Sequence, residues 1–305
     1  MRATARRRAS EGIVIPATCL AAALAAAAIG APPAVALGDE PRPSFGLGDG
    51  TRYDDRNVIA RVLLDVVAIP ADVPRWSAED AIPLALVLDT SVALMVDDPS
   101  ADVRLDRWIS SEVDPHLPLV WNDVMQPVLW AGIAVGGFGT WWWAATHDRA
   151  YVAQGMSLMG EAVAVSQVYH LAVKFAVGRE GPRDGDRTGR VHGPATAFRV
   201  YPAGTPSGHA ATLYALLSAG TAYFEPPMWA QVGLHTLVGG VVVFHVIDHR
   251  HFLSESLLGS TLGWSVGRWV VLHRASPARD RRGPSLGVAP LPVAGATGVS
   301  LVGRF

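Results

Sequence analysis

Three short stretches of this sequence hold residue types that can transfer a charged group: KFAVGREGP from Lys174, AGTPSGHAATLYALL from Ala203, and HVIDHRHFLSES from His245. In the second, Pro206, Ser207 and Gly208 precede an apolar run, so PSGH reads as a turn entering a helix, with His209 at the entry. The first turn of a helix has N–H groups without intrahelical partners and carries the positive end of the dipole. Ser207 and Gly208 are therefore placed to bind an anion. In the third, His251 and Glu255 are four residues apart and share a helix face, where the carboxylate can hold the imidazole in one tautomer and leave a nucleophile. Lys174 is the single lysine in a chain otherwise rich in arginine. His245 and His249 have the i, i+4 spacing of a zinc site, but Val246 stands where a zinc peptidase has its glutamate base, so no metal or other cofactor is expected.

Helices must position these residues. Apolar helical segments fall at roughly 55–69, 78–96, 120–146, 149–177, 208–223, 227–247 and 252–273, with no alternating strands between them, which predicts an all-α bundle over 52–275. Between two of these helices lies a long irregular piece, 178–205, holding Arg179, Arg183, Arg187, Arg190 and Arg199. Loops of that length inside a compact domain are usually functional. Residues 276–305 read as a linker and a C-terminal β-hairpin, with Leu286 and Val288 facing Val299 and Leu301.

The chain's start reads as an export signal. Arg2, Arg6, Arg7 and Arg8 precede an alanine-rich apolar run from Ile13 to Gly30, and small residues Ala34 and Ala36 precede a cut, giving a signal peptide over 1–36 and a linker over 37–51. An uncleaved membrane anchor is the alternative. Cys19, the only cysteine, lies inside that segment, so the mature protein has no thiol or disulfide. Removing 1–36 takes four arginines and one glutamate from 25 basic and 27 acidic residues, leaving 21 against 26, a net charge of −5 that excludes a nucleic-acid partner. Mean hydropathy is +0.25, high for a soluble enzyme. The 22-residue runs Met125 to Thr146 and Pro226 to Ile247 contain no Asp, Glu, Lys or Arg, and each is long enough to cross a bilayer. Charges inside the other helices, among them Arg61, Asp65, Glu161 and Lys174, favour a bundle in the periplasm or against the membrane surface over an integral one.

In order and spacing, the three stretches resemble the type 2 phosphatidic acid phosphatase and vanadium haloperoxidase superfamily. Members show a lysine followed after six residues by Arg-Pro, then Pro-Ser-Gly-His, then Ser-Arg followed after five residues by a histidine and after three more by an aspartate. The likeness covers about residues 120–273 and implies a helical bundle of the acid phosphatase and haloperoxidase type. It also implies metal-independent hydrolysis of a phosphorylated small molecule or lipid phosphate. Lys174 would grip the phosphate, Ser207 and the Gly208 amide would bind its oxygens, and His209 would protonate the leaving group. His251 would attack phosphorus to give a phosphohistidine, oriented by Glu255 in place of the aspartate.

Two positions depart from the pattern. The arginine of the first stretch falls on Gly181, and the Ser-Arg of the third falls on Phe244 and His245. Each hydrogen bond to a charged group is worth roughly 1.5–3 kcal/mol, so losing both clamps slows the chemistry by about two to four orders of magnitude unless other groups replace them. Arg179, Arg183, Arg250 and a protonated His245 are the candidates for that replacement. The alternative reading is a catalytically impaired member kept as a binding or structural protein. A haloperoxidase reading is weaker, because vanadate needs the same anion clamp.

Overall fold

The computed structural model describes residues 58–113, 126–194, 204–275, 285–293 and 296–304. The expected signal peptide, the linkers and Arg199 lie outside the described residues. Eight α-helices follow in order: α1 Val58–Asp72, α2 Ala78–Met95, α3 Ala101–Trp108, α4 Gln126–Thr146, α5 Ala150–Val177, α6 Gly208–Phe224, α7 Met228–Ile247 and α8 Leu253–Arg274. The fold is all-α, as the patterning predicts. Helix α3 was not expected: its eight residues include Asp102, Arg104, Asp106 and Arg107, so no apolar run marks it. Its sequence signal is Ser100, whose hydroxyl caps the helix by accepting the Val103 N–H.

Helices α5, α6 and α8 form the core, where Leu158, Ala162, Val165, Ala215, Val266 and Val270 are fully buried. Helices α6 and α8 approach closely along Gly259 and Gly263, where a Cβ would run into the carbonyl oxygens of Ser207 and Ala211. That contact has a functional consequence, because it sets the entry of α6 against the start of α8. The Ser207 N–H donates to the Glu255 carbonyl at 2.9 Å, tying the two helix starts together.

By contrast, α4 and α7 present apolar side chains to the outside. Val135 on α4 is 73% exposed and Trp229 on α7 is 77% exposed, with Phe138, Trp142 and Leu237 also exposed. Helix α7 is long and apolar enough to cross a membrane.

At the C-terminus, Ser285–Val293 (β1) and Ala296–Arg304 (β2) pair antiparallel. The register differs from the expected one. Val288 does face Leu301, but Leu286 pairs with Gly303 and Val299 with Pro290. The ladder closes with Val293 opposite Ala296, so the short connection fixes the register.

Candidate active site

Helix α5 carries Gln167, His170 and Lys174 at spacings of three and four, so all three lie on one face. Its end is made by Gly178, in the left-handed conformation at φ 54°, whose N–H donates to the Lys174 carbonyl at 2.9 Å. Across from that face is the entry of α6, where Ser207 is the N-cap and Gly208 and His209 are the first helical residues. His251 comes from the short connection between α7 and α8, and Glu255 from the first turn of α8. A cavity of about 390 Å³ opens between these elements, lined by Lys174, Gly208, His209 and His251 together with Trp130, Gln167, His170 and Thr212.

The histidines form a chain. Gln126 Nε2 lies 2.8 Å from His209 Nε2, His209 Nδ1 lies 3.3 Å from His251 Nε2, and His251 Nδ1 lies 3.1 Å from Glu255 Oε2. In the direction set by the Gln126 amide nitrogen, His209 carries its proton on Nδ1 and donates it towards His251. His251 then donates from Nδ1 to the carboxylate. This is the tautomer in which His251 Nε2 has a lone pair. Burial, reinforced by the Lys174 charge, lowers His251 to about 3; burial and the His251 and His245 rings lower His209 to about 3. Both rings are therefore neutral near pH 7.

Glu255 is held from several sides. Its carboxylate accepts the Phe252 N–H at 3.3 Å and the Thr205 hydroxyl at 3.3 Å, and the Arg179 guanidinium lies 3.5 Å away. Burial nevertheless pushes it up from the ordinary carboxylate range, with Arg179 the main group opposing.

The two loop arginines proposed as phosphate clamps are not brought to the cavity. Arg179 is turned inward behind His251 and Glu255. It donates to Asp102 Oδ2 at 3.0 Å, Ser254 Oγ at 2.9 Å and the Gly189 carbonyl at 3.1 Å, and it lies over the Phe252 ring. Arg183 reaches the Asp248 carbonyl and carboxylate on the far side of the connection. Ser207 also sits behind the lining: its hydroxyl caps α6 by accepting the Ala210 N–H, leaving Gly208 and His209 at the surface of the cavity. His245 is stacked under His209 with centroids 4.9 Å apart and donates from Nδ1 to the Val241 carbonyl at 2.8 Å. It supports the histidine pair and does not line the cavity.

Several residues that sequence reasoning missed also build the site. Asp102, on the unexpected α3, holds both Arg179 and Ser254. Gln126 and Trp130, on α4, contact His209. His170 was legible as the residue one turn before Lys174. Among the described residues, no group of histidines, cysteines and carboxylates has metal-binding geometry.

Residues 155–276 match the family model of the PAP2 superfamily. The chain carries a PAP2 superfamily domain. No curated protein and no solved structure matches the chain. The matched segment contains Lys174, His209, His251 and Glu255, the entry of α6 and the glycine-lined contact between α6 and α8.

Proposed function

We propose that this PAP2 domain hydrolyses a phosphomonoester, either a small molecule or a lipid phosphate, through a phosphohistidine on His251. The observation that carries the reading is the cavity itself. It brings one ammonium, one helix entry and a carboxylate-oriented imidazole to the same wall, 3.3 Å from a second imidazole. In the first step His251 Nε2 forms a bond to phosphorus while the P–O bond to the leaving group breaks, and His209, acting in its imidazolium form, gives that oxygen a proton and becomes neutral. In the second, His209 takes a proton from water, whose oxygen attacks phosphorus and releases His251 with inorganic phosphate. Lys174 and the α6 entry balance the charge on the oxygens that do not react. Among the described residues the lining holds no carboxylate for a metal ion, and turnover is expected to survive chelation.

Exposed apolar faces on α4 and α7 support a membrane-associated location. Export, read from the first 36 residues, remains part of the proposal.

A second reading has its own support. Among the described residues no arginine lines the cavity, and the direct His209 to His251 bond takes the place that a phosphoryl group would need. An impaired domain of this kind would bind phosphate without turning it over. One experiment separates the two: incubation with an aryl phosphate, quenching in base, and detection of an acid-labile phosphoprotein. A phosphoprotein that disappears in His251→Ala supports the enzyme. No phosphoprotein and no aryl alcohol released, from protein shown to be folded, overturns it.

A further inference from the structure

His170 is the one buried histidine on the cavity wall that the proposed reaction does not use. It is 7% exposed, and its hydrogen bonds fix its tautomer. Gln167 Nε2 donates to the Gly208 carbonyl at 3.1 Å and to Thr212 Oγ1 at 2.9 Å, while that hydroxyl itself donates to the Gly208 carbonyl at 3.0 Å. A carbonyl only accepts, so the Gln167 amide nitrogen must face it and Gln167 Oε1 must face His170. That oxygen, 3.0 Å from Nδ1, accepts the proton there. His170 Nε2 is then a lone pair, and it is buried with no hydrogen-bond partner.

The ring lies across the entry of α6, so close that a Cβ on Gly208 would meet its Cε1 at 2.7 Å. Lys174, one turn along the same helix, lines the same cavity. A buried lone pair on a residue of the wall must either repel a phosphate held in the cavity or share a proton with it. We propose that His170 is a ligand-contacting residue that takes part in holding a phosphoryl group by a shared proton, so that the occupied site carries one proton more than the empty protein and a phosphate dianion. The inference rests on the cavity being a phosphate site. It assigns to His170 part of the oxygen contact that the two missing arginines would otherwise make.

Two observations fit this role. Burial, then the charges of Lys174 and His251, lower His170 to about 4, so the proton is absent until an anion arrives. The titratable groups facing the ring are Lys174 from its own helix, His209 from α6 and His251 from the connection before α8. Of these, His209 and His251 already have hydrogen-bond partners at both ring nitrogens. His170 has an unoccupied acceptor.

The test is calorimetric titration of the full chain with inorganic phosphate, in buffers of different ionisation enthalpy, at a pH where the ligand is a dianion. Uptake of about one proton per phosphate is expected, with affinity falling about tenfold per pH unit. In His170→Gln, uptake should drop to near zero and binding should weaken, while His209→Gln keeps the uptake. His170→Asn serves as a second variant if the glutamine protein does not fold. Phosphate binding without proton uptake, or uptake that persists in folded His170→Gln, overturns the role of His170 and leaves the phosphatase reading standing. Absence of any phosphate binding by the native protein removes the phosphate site, and this inference with it.

Discussion

Among the described residues two buried clusters of charge invite comparison, one of them beside the cavity lined by Lys174. Away from the site, Arg61 donates to Glu161 at 2.7 Å and Arg274 Nε donates to Asp65 at 2.7 Å, joining α1, α5 and α8. Two cations meet two carboxylates, with Ser157 beside Arg61. At the site, Arg179 alone faces the two carboxylates of Asp102 and Glu255. The second cation nearby is Lys174, and its side chain forms part of the cavity wall. Buried charge is costly in both places, and with Lys174 counted each cluster sets two cations against two carboxylates; they differ in that an ammonium of the second lies on the cavity wall. The difference marks the candidate functional end of the bundle, since there a cation of the cluster adjoins space for an anion.

The largest expected effect comes from removing the nucleophile at the second cluster. His251→Ala should lower aryl phosphate turnover by about 10⁴-fold, the scale on which a covalent catalyst is lost, with the melting temperature nearly unchanged. Glu161→Gln, in the first cluster, should leave turnover per folded molecule as it was. Equal losses in the two variants would erase the distinction between the clusters.

Next comes stability. Arg61→Met strands a buried Glu161 carboxylate, and breaking a buried pair in this way costs about 3–5 kcal/mol. Adding Glu161→Met should restore most of that, because two apolar side chains replace the pair. Denaturant unfolding of both proteins measures the recovery. If the single variant is as stable as the native chain, the pair does not hold α1 against α5.

A positioning effect should follow at Asp102. Its carboxylate holds Arg179 by Nη2 and the start of α8 by the Ser254 N–H at 3.1 Å, and so fixes Glu255 behind His251. Asp102→Asn loosens that support without touching the cavity and should reduce kcat by about 10- to 100-fold with little change in KM, because small displacements of a reacting group are costly. The acidic limb of the pH-rate profile should shift as well, since that limb follows the ionisation of Glu255 and Arg179 is the main group opposing its upward displacement. A purely structural aspartate would lower the melting temperature and leave that limb in place.

Most of the helices were legible because each of α1, α2 and α4 to α8 has an apolar run bounded by turn residues. α3 has none; it is held by Ser100 and by long-range pairing of Asp102 with Arg179, 77 residues away. The same distance explains the arginines. A loop rich in Arg, Gly and Pro signals function, but its sequence does not say which guanidinium turns inward, because the partner lies on another element. His209, His251, Glu255, Lys174 and Gly208 were legible for the opposite reason: the helix entry and the i, i+4 pair fix them locally, and the close α6 to α8 contact brings the two together. His170 followed the same local rule from Lys174 and lacked only a motif to draw attention to it.

The smallest expected effect is a gain, at the position where the resemblance calls for arginine. His245 is buried beneath His209, and its Nδ1 proton goes to the Val241 carbonyl, which leaves Nε2 as its other ring nitrogen. His245→Arg replaces that single nitrogen with a fixed charge and a fork of donors, which is the group that binds phosphoryl oxygens best. The longer side chain must fit a slot that is 1% exposed, and overpacking of that kind costs about 1–3 kcal/mol. A rise of about tenfold in kcat/KM is therefore expected alongside a lower melting temperature, since one added charged hydrogen bond offsets roughly one to two powers of ten. Phosphate affinity measured by calorimetry should rise in step. A flat or lower kcat/KM with tighter phosphate binding would mean that the guanidinium reaches the ground-state anion and not the transferring group. A folded variant in which neither changes would show that the site has closed around His245, and would favour the impaired domain over the enzyme.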